Sequence, residues 1–289
     1  MTTVELNPEG LKQYIGRRAV SQDVVTPGPA NLLRLSFARP EPGLRHGDPL
    51  PPGWLCLYFL PQFAPDGLRP DGSPLDAGVV PPMPLPRRMF AGEQLRWHRP
   101  IHIGDELRRE TELTDLTMKP GATGTLVFAS VVNRVYGPDG LALEEEKRTV
   151  FREEVRAGER NQAPRREDAP ADVPWRRVIT ADPVLLFRFS ALTFNSHRIH
   201  YDRPWATSVE GYPGLVVHGP LTSTLLLDFA RDHNPGRAVT SYTTQARAPL
   251  FDTAPFELRG RPGADGRGAQ LWAVTPEGTV AMSAQVEFA

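Results

Sequence analysis

Hydrophobic and polar positions alternate most regularly at the end of the chain. Val280, Met282, Ala284, Val286 and Phe288 occupy every second position. Because successive side chains of a strand point to opposite faces, this spacing predicts a strand with one buried face. The same texture, interrupted by turn residues, predicts eight strands in two groups of four. They cover residues 92–101, 105–118, 124–137 and 141–153, and then residues 239–250, 254–263, 269–278 and 279–288.

Two apolar segments between these groups have the start and stop signals of helices. Asp182-Pro183 supplies an N-cap acceptor and a proline at the first helical position, and apolar residues continue to Leu192. The second segment begins at Gly219-Pro220 and ends before Asn234-Pro235-Gly236, a length of about 14 residues or roughly 21 Å. A long apolar helix followed by four antiparallel strands predicts an α+β fold in which a sheet wraps around a helix.

The two groups of strands repeat one order of strands and turns. Residues 131–151 align with residues 271–288, each as strand, Pro-acid-Gly turn and strand, and residues 98–113 align more loosely with residues 246–261. We infer that one β-rich unit has been duplicated. The first unit is predicted at 1–155, a charged and Pro-containing linker at 156–172, and the second unit at 173–289.

A Pro-rich stretch at residues 61–86 holds no recognisable helix or strand pattern, because each proline removes a backbone donor and disfavours helix at the residue before it. We predict a long surface connection, and irregular segments of this length often form binding elements.

Composition narrows the class of protein. The chain has 289 residues, a formal net charge of -1 and a single cysteine, Cys56. The near-neutral charge gives no field that favours nucleic acid or an anionic membrane, and one cysteine excludes an internal disulfide framework. The first residues lack the basic-then-apolar pattern of a secretory signal, and no apolar run approaches the roughly 20 residues of a membrane-spanning helix. We therefore expect a cytoplasmic protein with no membrane or nucleic-acid partner.

Titratable side chains concentrate in residues 187–221. Three of the seven histidines lie there, and a polar cluster follows the first apolar helix directly. The cluster consists of Asn195, His197, Arg198, His200, Tyr201, Asp202 and Arg203, and His218 follows it. Many titratable groups on a loop carried by a rigid helix are typical of an active site.

This passage resembles the motif of (R)-specific enoyl-CoA hydratases of the MaoC-like family, in which an aromatic residue and L-S-G-D-x-N-P-L-H precede an Asp. Leu192-Thr193 stands at the Leu-Ser, Ile199-His200 at the Leu-His, and Asp202 and Val217-His218-Gly219 also fit. Two positions depart from the motif. Asn195 replaces the usual catalytic Asp, and His197-Arg198 replaces Asn-Pro.

The form F-x-A-L-T-F-N-x-H-R-I-H-Y-D is similar to one branch of that family. The branch includes mesaconyl-C4-CoA and itaconyl-CoA hydratases and mitochondrial 3-hydroxyacyl-thioester dehydratases. Residues 84–92 also resemble its L-P-R-R-M-W-A-G-G run. The resemblance spans nearly the whole chain. It implies a double hot-dog fold, with two antiparallel sheets each wrapped around a central helix, and a hydro-lyase that adds water to a 2-enoyl thioester or removes it from a 3-hydroxyacyl thioester.

This chemistry needs a group that takes a proton from water, a proton donor for the α-carbon and stabilisation of the enolate oxygen. His200 is the expected acid/base, because imidazole titrates near neutral pH. The amide of Asn195 has no useful basicity, so we expect it to orient water. Asp202 either holds the tautomer of His200 or shares the base role, and the sequence leaves both open.

The start of the second helix is the expected oxyanion site. Gly219 allows close approach to the backbone, the helix end is positive, and His218 adds a donor. The substrate-binding residues are predicted to be His197, Arg198, His218, Gly219, Arg87 and Arg88, with Arg203 as a further cation. The arginines suit CoA phosphates or a substrate carboxylate.

Other interpretations stay open. His197 and His200 have the spacing of a metal pair, but no cysteine or carboxylate cluster accompanies them, so we expect no metal and no cofactor beyond the CoA of the substrate. His197 also fits a hydrogen-bonded structural residue, and Asn195 also fits a local cap for the turn. The rival functions are a hot-dog thioesterase, which needs a carboxylate where Asn195 stands, and an acyl-CoA-binding protein without catalysis. Either a monomer or a homodimer of fused units fits.

Overall fold

Ten strands form one antiparallel sheet in the computed structural model, which describes residues 6–75, 78–85, 87–121, 124–153 and 166–289. The strands are β1 (Arg18–Val24), β2 (Arg87–Trp97), β3 (Glu106–Gly121), β4 (Gly124–Gly137), β5 (Gly140–Arg152), β6 (Trp175–Ile179), β7 (Val239–Ala246), β8 (Phe256–Pro262), β9 (Gly268–Val274) and β10 (Val280–Phe288). The helices are α1 (Pro8–Lys12), α2 (Pro27–Ser36), α3 (Pro183–Leu192) and α4 (Gly219–Asp232).

The strand order shows the duplication. It runs β1-β3-β4-β5-β2 and continues as β7-β10-β9-β8-β6, so each half pairs its first strand with its third and places its second strand at the other edge. The second strands of the halves pair with each other, from Gly92 opposite Gln245 to Arg96 opposite Ser241. The two sheets are therefore joined edge to edge into one.

All eight predicted strands are present, whereas β1 and β6 were not predicted. These two outermost strands are short, and most of their residues are exposed or half-buried. A strand at a sheet edge lies over little of the core, so it lacks the clean apolar alternation that identifies a buried strand.

The helix α4 begins and ends as the sequence predicted, and every residue from Leu221 to Ala230 is buried. It packs against β7 to β10 of its own half and against β2 of the first half. The helix α3 also starts as predicted, since the Asp182 carboxylate accepts a hydrogen bond from the Leu185 amide (2.8 Å). Its last turn leads straight into the polar cluster.

The Pro-rich stretch at 61–86 is only in part the surface connection that the sequence predicted, because residues 61–75 lie mostly at the surface and most of the described residues after them do not. Val79, Val80, Met83 and Leu85 are buried and pack with residues of β3, β4 and β5 in a second hydrophobic cluster. Prolines prevent regular backbone pairing, but they leave apolar side chains free to cover the first-half sheet. Asp76, Ala77 and Pro86 lie outside the described residues.

The boundaries of the predicted units, 1–155, 156–172 and 173–289, stay a prediction, because residues 154–165 lie outside the described ranges. The end of the predicted linker already contacts the second half. The Ala169 amide donates to the Gly278 carbonyl (3.0 Å), and Ala169 packs with Trp272 and Val280. None of the helices in the described ranges is long and apolar enough to cross a lipid bilayer.

Candidate active site

The polar cluster lies on a loop that leaves the end of α3, here called the histidine loop (residues 193–203). Phe194 adopts a left-handed conformation with φ 49°, which reverses the chain after the helix. The side-chain oxygen of Asn195 then accepts a hydrogen bond from the His197 amide (3.1 Å), and the Asn195 amide donates to the Ser190 carbonyl (2.8 Å). Asn195 therefore caps the turn through its oxygen, and its NH₂ group makes no hydrogen bond to a described residue.

His200 ends a short 3₁₀ turn, Arg198–His200, and is 8% exposed. Its Nδ1 lies 2.7 Å from the Val216 carbonyl oxygen. A carbonyl only accepts hydrogen bonds, so Nδ1 carries the proton and the lone pair of the neutral ring lies on Nε2. Burial, assisted by the charge of His197 and opposed by the Val216 carbonyl, lowers the pKa of His200 to about 3. The ring is therefore neutral at physiological pH.

His218 lies directly against His200. The ring centroids are 3.7 Å apart with 16° between the planes. His218 is 1% exposed, its Nε2 lies 2.8 Å from the hydroxyl oxygen of Ser190, and its Nδ1 is buried with no partner among the described residues. Burial holds the pKa of His218 well below its usual value. We predicted a substrate-binding residue here, but in this structure both ring nitrogens of His218 are covered, and the ring supports His200.

The start of α4 lies immediately after His218. No described residue accepts a hydrogen bond from the amides of Gly219 and Leu221, whereas the Thr222 amide donates to the His218 carbonyl (3.0 Å). Two amide donors at the positive end of a 14-residue helix therefore have no described acceptor, an arrangement that favours an anionic oxygen.

The glycine at position 219 has a structural reason that the sequence did not predict. A Cβ there would lie 2.7 Å from a ring carbon of Phe90 on β2. A side chain of the first half therefore makes a close approach that requires glycine here, and Gly219 contributes its amide.

Of the two roles left open for Asp202, the structure does not support holding the His200 tautomer, because the Val216 carbonyl accepts from Nδ1; a share in the base role stays a prediction. Asp202 accepts two bonds from Arg198, 2.9 Å from Nε and 2.7 Å from Nη2, and one from the Trp205 amide (3.1 Å). The Arg198 guanidinium, with these hydrogen bonds, holds the pKa of the Asp202 carboxyl below its usual value. Arg198 also stacks on the Trp205 ring at 3.9 Å, so it is engaged within the fold.

A turn of the first half, residues 69–73, is fastened to the histidine loop. The Arg198 amide donates to the Asp71 carbonyl (2.8 Å), and the Ser196 hydroxyl donates to the Gly72 carbonyl (2.6 Å). Gly72 has φ 80°, and a Cβ at this position would lie 1.9 Å from the Ser196 carbonyl oxygen. Only glycine fits this contact, so the first half fixes the conformation of the loop that carries His200.

His197 lies between this turn and His200. Its Nε2 is 3.5 Å from the Asp71 carboxylate, and its ring meets that of His200 edge-on at 5.6 Å. Burial, aided by the charge of Arg88 and opposed by Asp71, lowers the pKa of His197. Ligand atoms of Asp71, His197 and Glu210 lie within 4.8 Å of one another. Glu210 already pairs with Arg87 (3.3 Å), so a cation would compete with a guanidinium, and the absence of a metal stays a prediction.

Arg87 and Arg88 are neighbours on β2 with different surroundings. Arg87 is largely buried and donates to the Glu210 carbonyl (3.0 Å) as well as pairing with its carboxylate. Arg88 is exposed, and its guanidinium forms no hydrogen bond or ion pair with any described residue. Two other nitrogens of the Arg87 guanidinium are buried without a partner, so Arg88 is the one of this pair whose side chain is open to solvent.

Sequence reasoning found His200 and the start of α4 but missed Ser190, Val216, Phe90, Asp71 and Gly72. Val216 acts through its backbone carbonyl, which no residue type reveals. Asp71-Gly72 is a turn dipeptide within a Pro-rich stretch, and nothing in its local pattern indicates a partner more than a hundred residues away. The assembled site offers a neutral imidazole with a free Nε2, an amide group on Asn195 and two unpaired helix-end amides.

Known proteins resemble this chain over most of its length. Residues 53–252 match the family model for hydroxyacyl-thioester dehydratase type 2. The mesaconyl-C(4)-CoA hydratase of Chloroflexus aurantiacus is 43% identical over 280 residues, which cover 95% of this chain and 96% of that protein.

Solved structures show the same fold. A MaoC-like dehydratase matches with a TM-score of 0.71 at 16% identity, covering 96% of this chain and 99% of the other. A conserved hypothetical protein from Mycobacterium tuberculosis with a double hot-dog fold matches with a TM-score of 0.54 at 14% identity, covering 95% and 96%. The predicted double hot-dog fold is confirmed, as is the predicted class of enzyme, a hydro-lyase. The chain belongs to the hydroxyacyl-thioester dehydratase type 2 family of MaoC-like hydratases and dehydratases.

Proposed function

We propose that this chain adds water to a 2-enoyl-CoA thioester, and catalyses the reverse dehydration, on a short branched dicarboxylic acyl group of the mesaconyl type. One observation carries the proposal. The neutral imidazole of His200, with its lone pair on Nε2, stacks at 3.7 Å on His218, the residue that directly precedes the unpaired amides of α4. A proton acceptor and an oxyanion site are the two elements that hydration of a thioester requires.

The reaction follows from these groups. The thioester oxygen binds the amides of Gly219 and Leu221, and the NH₂ group of Asn195 orients a water molecule. Nε2 of His200 takes a proton from this water while the oxygen forms a bond to the β-carbon. The electron pair of the double bond moves toward the thioester oxygen, which becomes an enolate. His200 then returns its proton to the α-carbon, so one water is added and the enzyme ends unchanged.

The low pKa of His200 is compatible with this role. Without a nearby negative charge, burial makes the imidazolium unfavourable. The enolate oxygen that develops during addition is an opposite charge inside the same poorly hydrated site, and it stabilises the imidazolium as that ion forms. A depressed pKa in the free enzyme also keeps Nε2 unprotonated before substrate binds.

Similarity supports the acyl group and the carrier. The relative at 43% identity covers nearly all of both chains and is a mesaconyl-C(4)-CoA hydratase. Mesaconyl is a dicarboxylic acyl group with a methyl branch, and CoA rather than acyl carrier protein is the carrier in that name. We propose the same class of substrate here.

A substrate panel tests the proposal. Purified protein is incubated with mesaconyl-C4-CoA, crotonyl-CoA and a saturated acyl-CoA, and products are followed by mass spectrometry and by a free-thiol assay. We expect mesaconyl-C4-CoA to gain the mass of one water faster than crotonyl-CoA, without thiol release. Thiol release from the saturated thioester would support a thioesterase instead, and binding without turnover would support a non-catalytic acyl-CoA-binding protein.

The oligomeric state and the cellular location are also proposals. A fused pair already supplies the contact between two hot-dog units, so a monomer or a dimer of fused chains fits. Sedimentation of the purified protein distinguishes the two. A cytoplasmic location stays a prediction.

A further inference from the structure

Arg88 presents an unpaired positive charge in a hollow of the first half. Its strand position is opposite Phe151 on β5, and both residues line a small hollow together with Arg69 and Met83. The side chain is exposed, yet many protein atoms surround it, and the resulting desolvation lowers the pKa of the guanidinium. A residue that is both surrounded and exposed lies on the wall of a concave site.

The charges around Arg88 leave an excess of one positive charge. Arg69 donates to the Met83 carbonyl (3.0 Å) but pairs with no carboxylate among the described residues. Asp71 is the nearby anion, held by the Ser73 amide (2.8 Å) and hydroxyl (2.7 Å) and facing His197. Glu210 is engaged by Arg87. Arg69 and Arg88 thus line the hollow, Asp71 lies beyond it beside His197, and one further anion would balance these three charges.

The hollow adjoins the reacting centre. Arg88 is opposite Phe151 and Phe90 is opposite Thr149, so Arg88 and Phe90 lie on the same face of β2. Two residues along a strand span about 7 Å, and Phe90 touches the start of α4 at Gly219. On the other side His197 separates Arg88 from His200, with 5.6 Å between the two histidine rings. The guanidinium is therefore within reach of the acyl group of a thioester bound at Gly219.

We propose that Arg88 binds the free carboxylate of a dicarboxylic enoyl-CoA and thereby selects it over a straight-chain enoyl-CoA with no second carboxylate. A guanidinium binds a carboxylate through two parallel N–H···O bonds, which fixes the orientation as well as the charge of the ligand. The inference rests on the proposed hydration and adds the residue that determines specificity.

The alternative partner is a phosphate of CoA. Both anions suit a guanidinium, but the phosphates are common to every CoA substrate, whereas the second carboxylate is not. A variant of Arg88 therefore distinguishes the two partners. Loss of a phosphate contact lowers kcat/KM for every CoA thioester alike, whereas loss of a carboxylate contact lowers it only for the dicarboxylic one.

The test compares Arg88→Met, Arg88→Lys and Arg96→Met by kcat/KM for mesaconyl-C4-CoA and crotonyl-CoA. Arg96 is the matched control, since it lies on the same strand with an exposed side chain. We expect Arg88→Met to lower kcat/KM for mesaconyl-C4-CoA by about 10- to 100-fold, the loss typical of hydrogen bonds to a charged group, and to leave the value for crotonyl-CoA within about threefold. Arg88→Lys keeps the charge without the paired geometry and should be intermediate.

Equal losses for both substrates, or no loss for either, would overturn the inference. These outcomes differ from a failure of the proposed function, in which the wild-type chain hydrates neither thioester. Thermal melting of each variant checks that it is folded, and if Arg88→Met does not fold, Arg88→Lys carries the comparison.

Discussion

At the residue scale, burial and one carbonyl determine the state of the imidazole at position 200. The Val216 carbonyl fixes the proton on Nδ1, and the neutral His218 stacks against the ring. The sequence predicted His200 because its spacing from Asn195 resembles a known motif. It did not predict Val216 or Ser190, since one acts through its backbone and the other is an ordinary helix residue. Asp202 was a candidate partner of His200 because it lies two residues further along the chain. In the fold, its carboxylate pairs with Arg198 instead.

The buried neutral histidines make folding stability dependent on pH. The pKa of His200 is lowered from about 6.5 to about 3 by burial, so the unfolded chain binds a proton that the folded chain does not. The part of the folding free energy that depends on neutral His200 is therefore fully present above pH 6.5, and it is lost as the pH falls toward 3. We expect the free energy of unfolding in urea to drop by up to about 1.4 kcal/mol per pH unit through His200, between pH 6 and 5.

The variant His200→Gln isolates this effect. It removes the titrating group, so its free energy of unfolding should fall less steeply over the same range than that of the wild type. Parallel slopes for the two proteins would show that His200 has the same pKa in the folded and unfolded chain, contrary to its burial. His218, whose pKa is also lowered by burial, adds a further dependence in the same direction and is present in both proteins.

At the element scale, regular patterns were predicted and irregular contacts were not. The strands from β2 to β5 and from β7 to β10 alternate clearly, and α4 has proline at its start and Asn-Pro-Gly after its end. The stretch at 61–86 carries no such pattern, yet its turn at Asp71-Gly72 holds the histidine loop. Pairing between distant loops depends on how the elements pack, and local residue preferences do not record it.

Substitution of Gly72 tests the contact between that turn and the histidine loop. A Cβ at Gly72 would lie 1.9 Å from the Ser196 carbonyl oxygen, whereas a Cβ at Gly47 would meet nothing within 4 Å. The two glycines have similar positive φ angles, 80° and 87°. Both variants to alanine incur the strain of positive φ, about 1 kcal/mol. We expect Gly72→Ala alone to lower kcat for hydration, by about 10-fold or more, since small displacements of a catalytic group are costly.

Activity and stability are measured together on these two variants. If Gly72→Ala and Gly47→Ala retain the same kcat, the turn at 69–73 does not position His200. A loss of stability in both variants with a loss of kcat only in Gly72→Ala is the expected pattern.

At the scale of the whole molecule, the two halves share a topology but have different tasks. The second half supplies His200, Asn195 and the start of α4. The first half supplies Phe90 against Gly219 and the turn that fastens the histidine loop. Internal similarity in the sequence predicted the duplication, and the resemblance of residues 187–221 predicted the family. Neither of these predicted that β2 and β7 pair and join the two sheets into one. Nothing in the residues of either strand indicates the other as its partner.

The seam between the halves is tested at Gly92. A Cβ there would lie 2.2 Å from the Thr244 carbonyl oxygen across the seam, and at Gly140 in the β4–β5 turn it would meet nothing within 4 Å. Both glycines have positive φ, 146° and 105°. We expect Gly92→Ala to lower the free energy of unfolding by about 3 kcal/mol or more, the range of severe backbone clashes, and Gly140→Ala to cost about 1 kcal/mol. If urea denaturation gives the same loss of unfolding free energy for both variants, β2 and β7 can move apart at this seam without cost.

The most direct test of the whole account is the hydration rate of the His200→Gln variant. Glutamine can still donate a hydrogen bond to the Val216 carbonyl, but it cannot accept a proton from water. With mesaconyl-C4-CoA as substrate, we expect kcat to fall by about 10²- to 10⁴-fold, the usual contribution of a general base, while the affinity for the thioester changes little. A variant that hydrates the substrate at the wild-type rate would contradict the proposed role of His200.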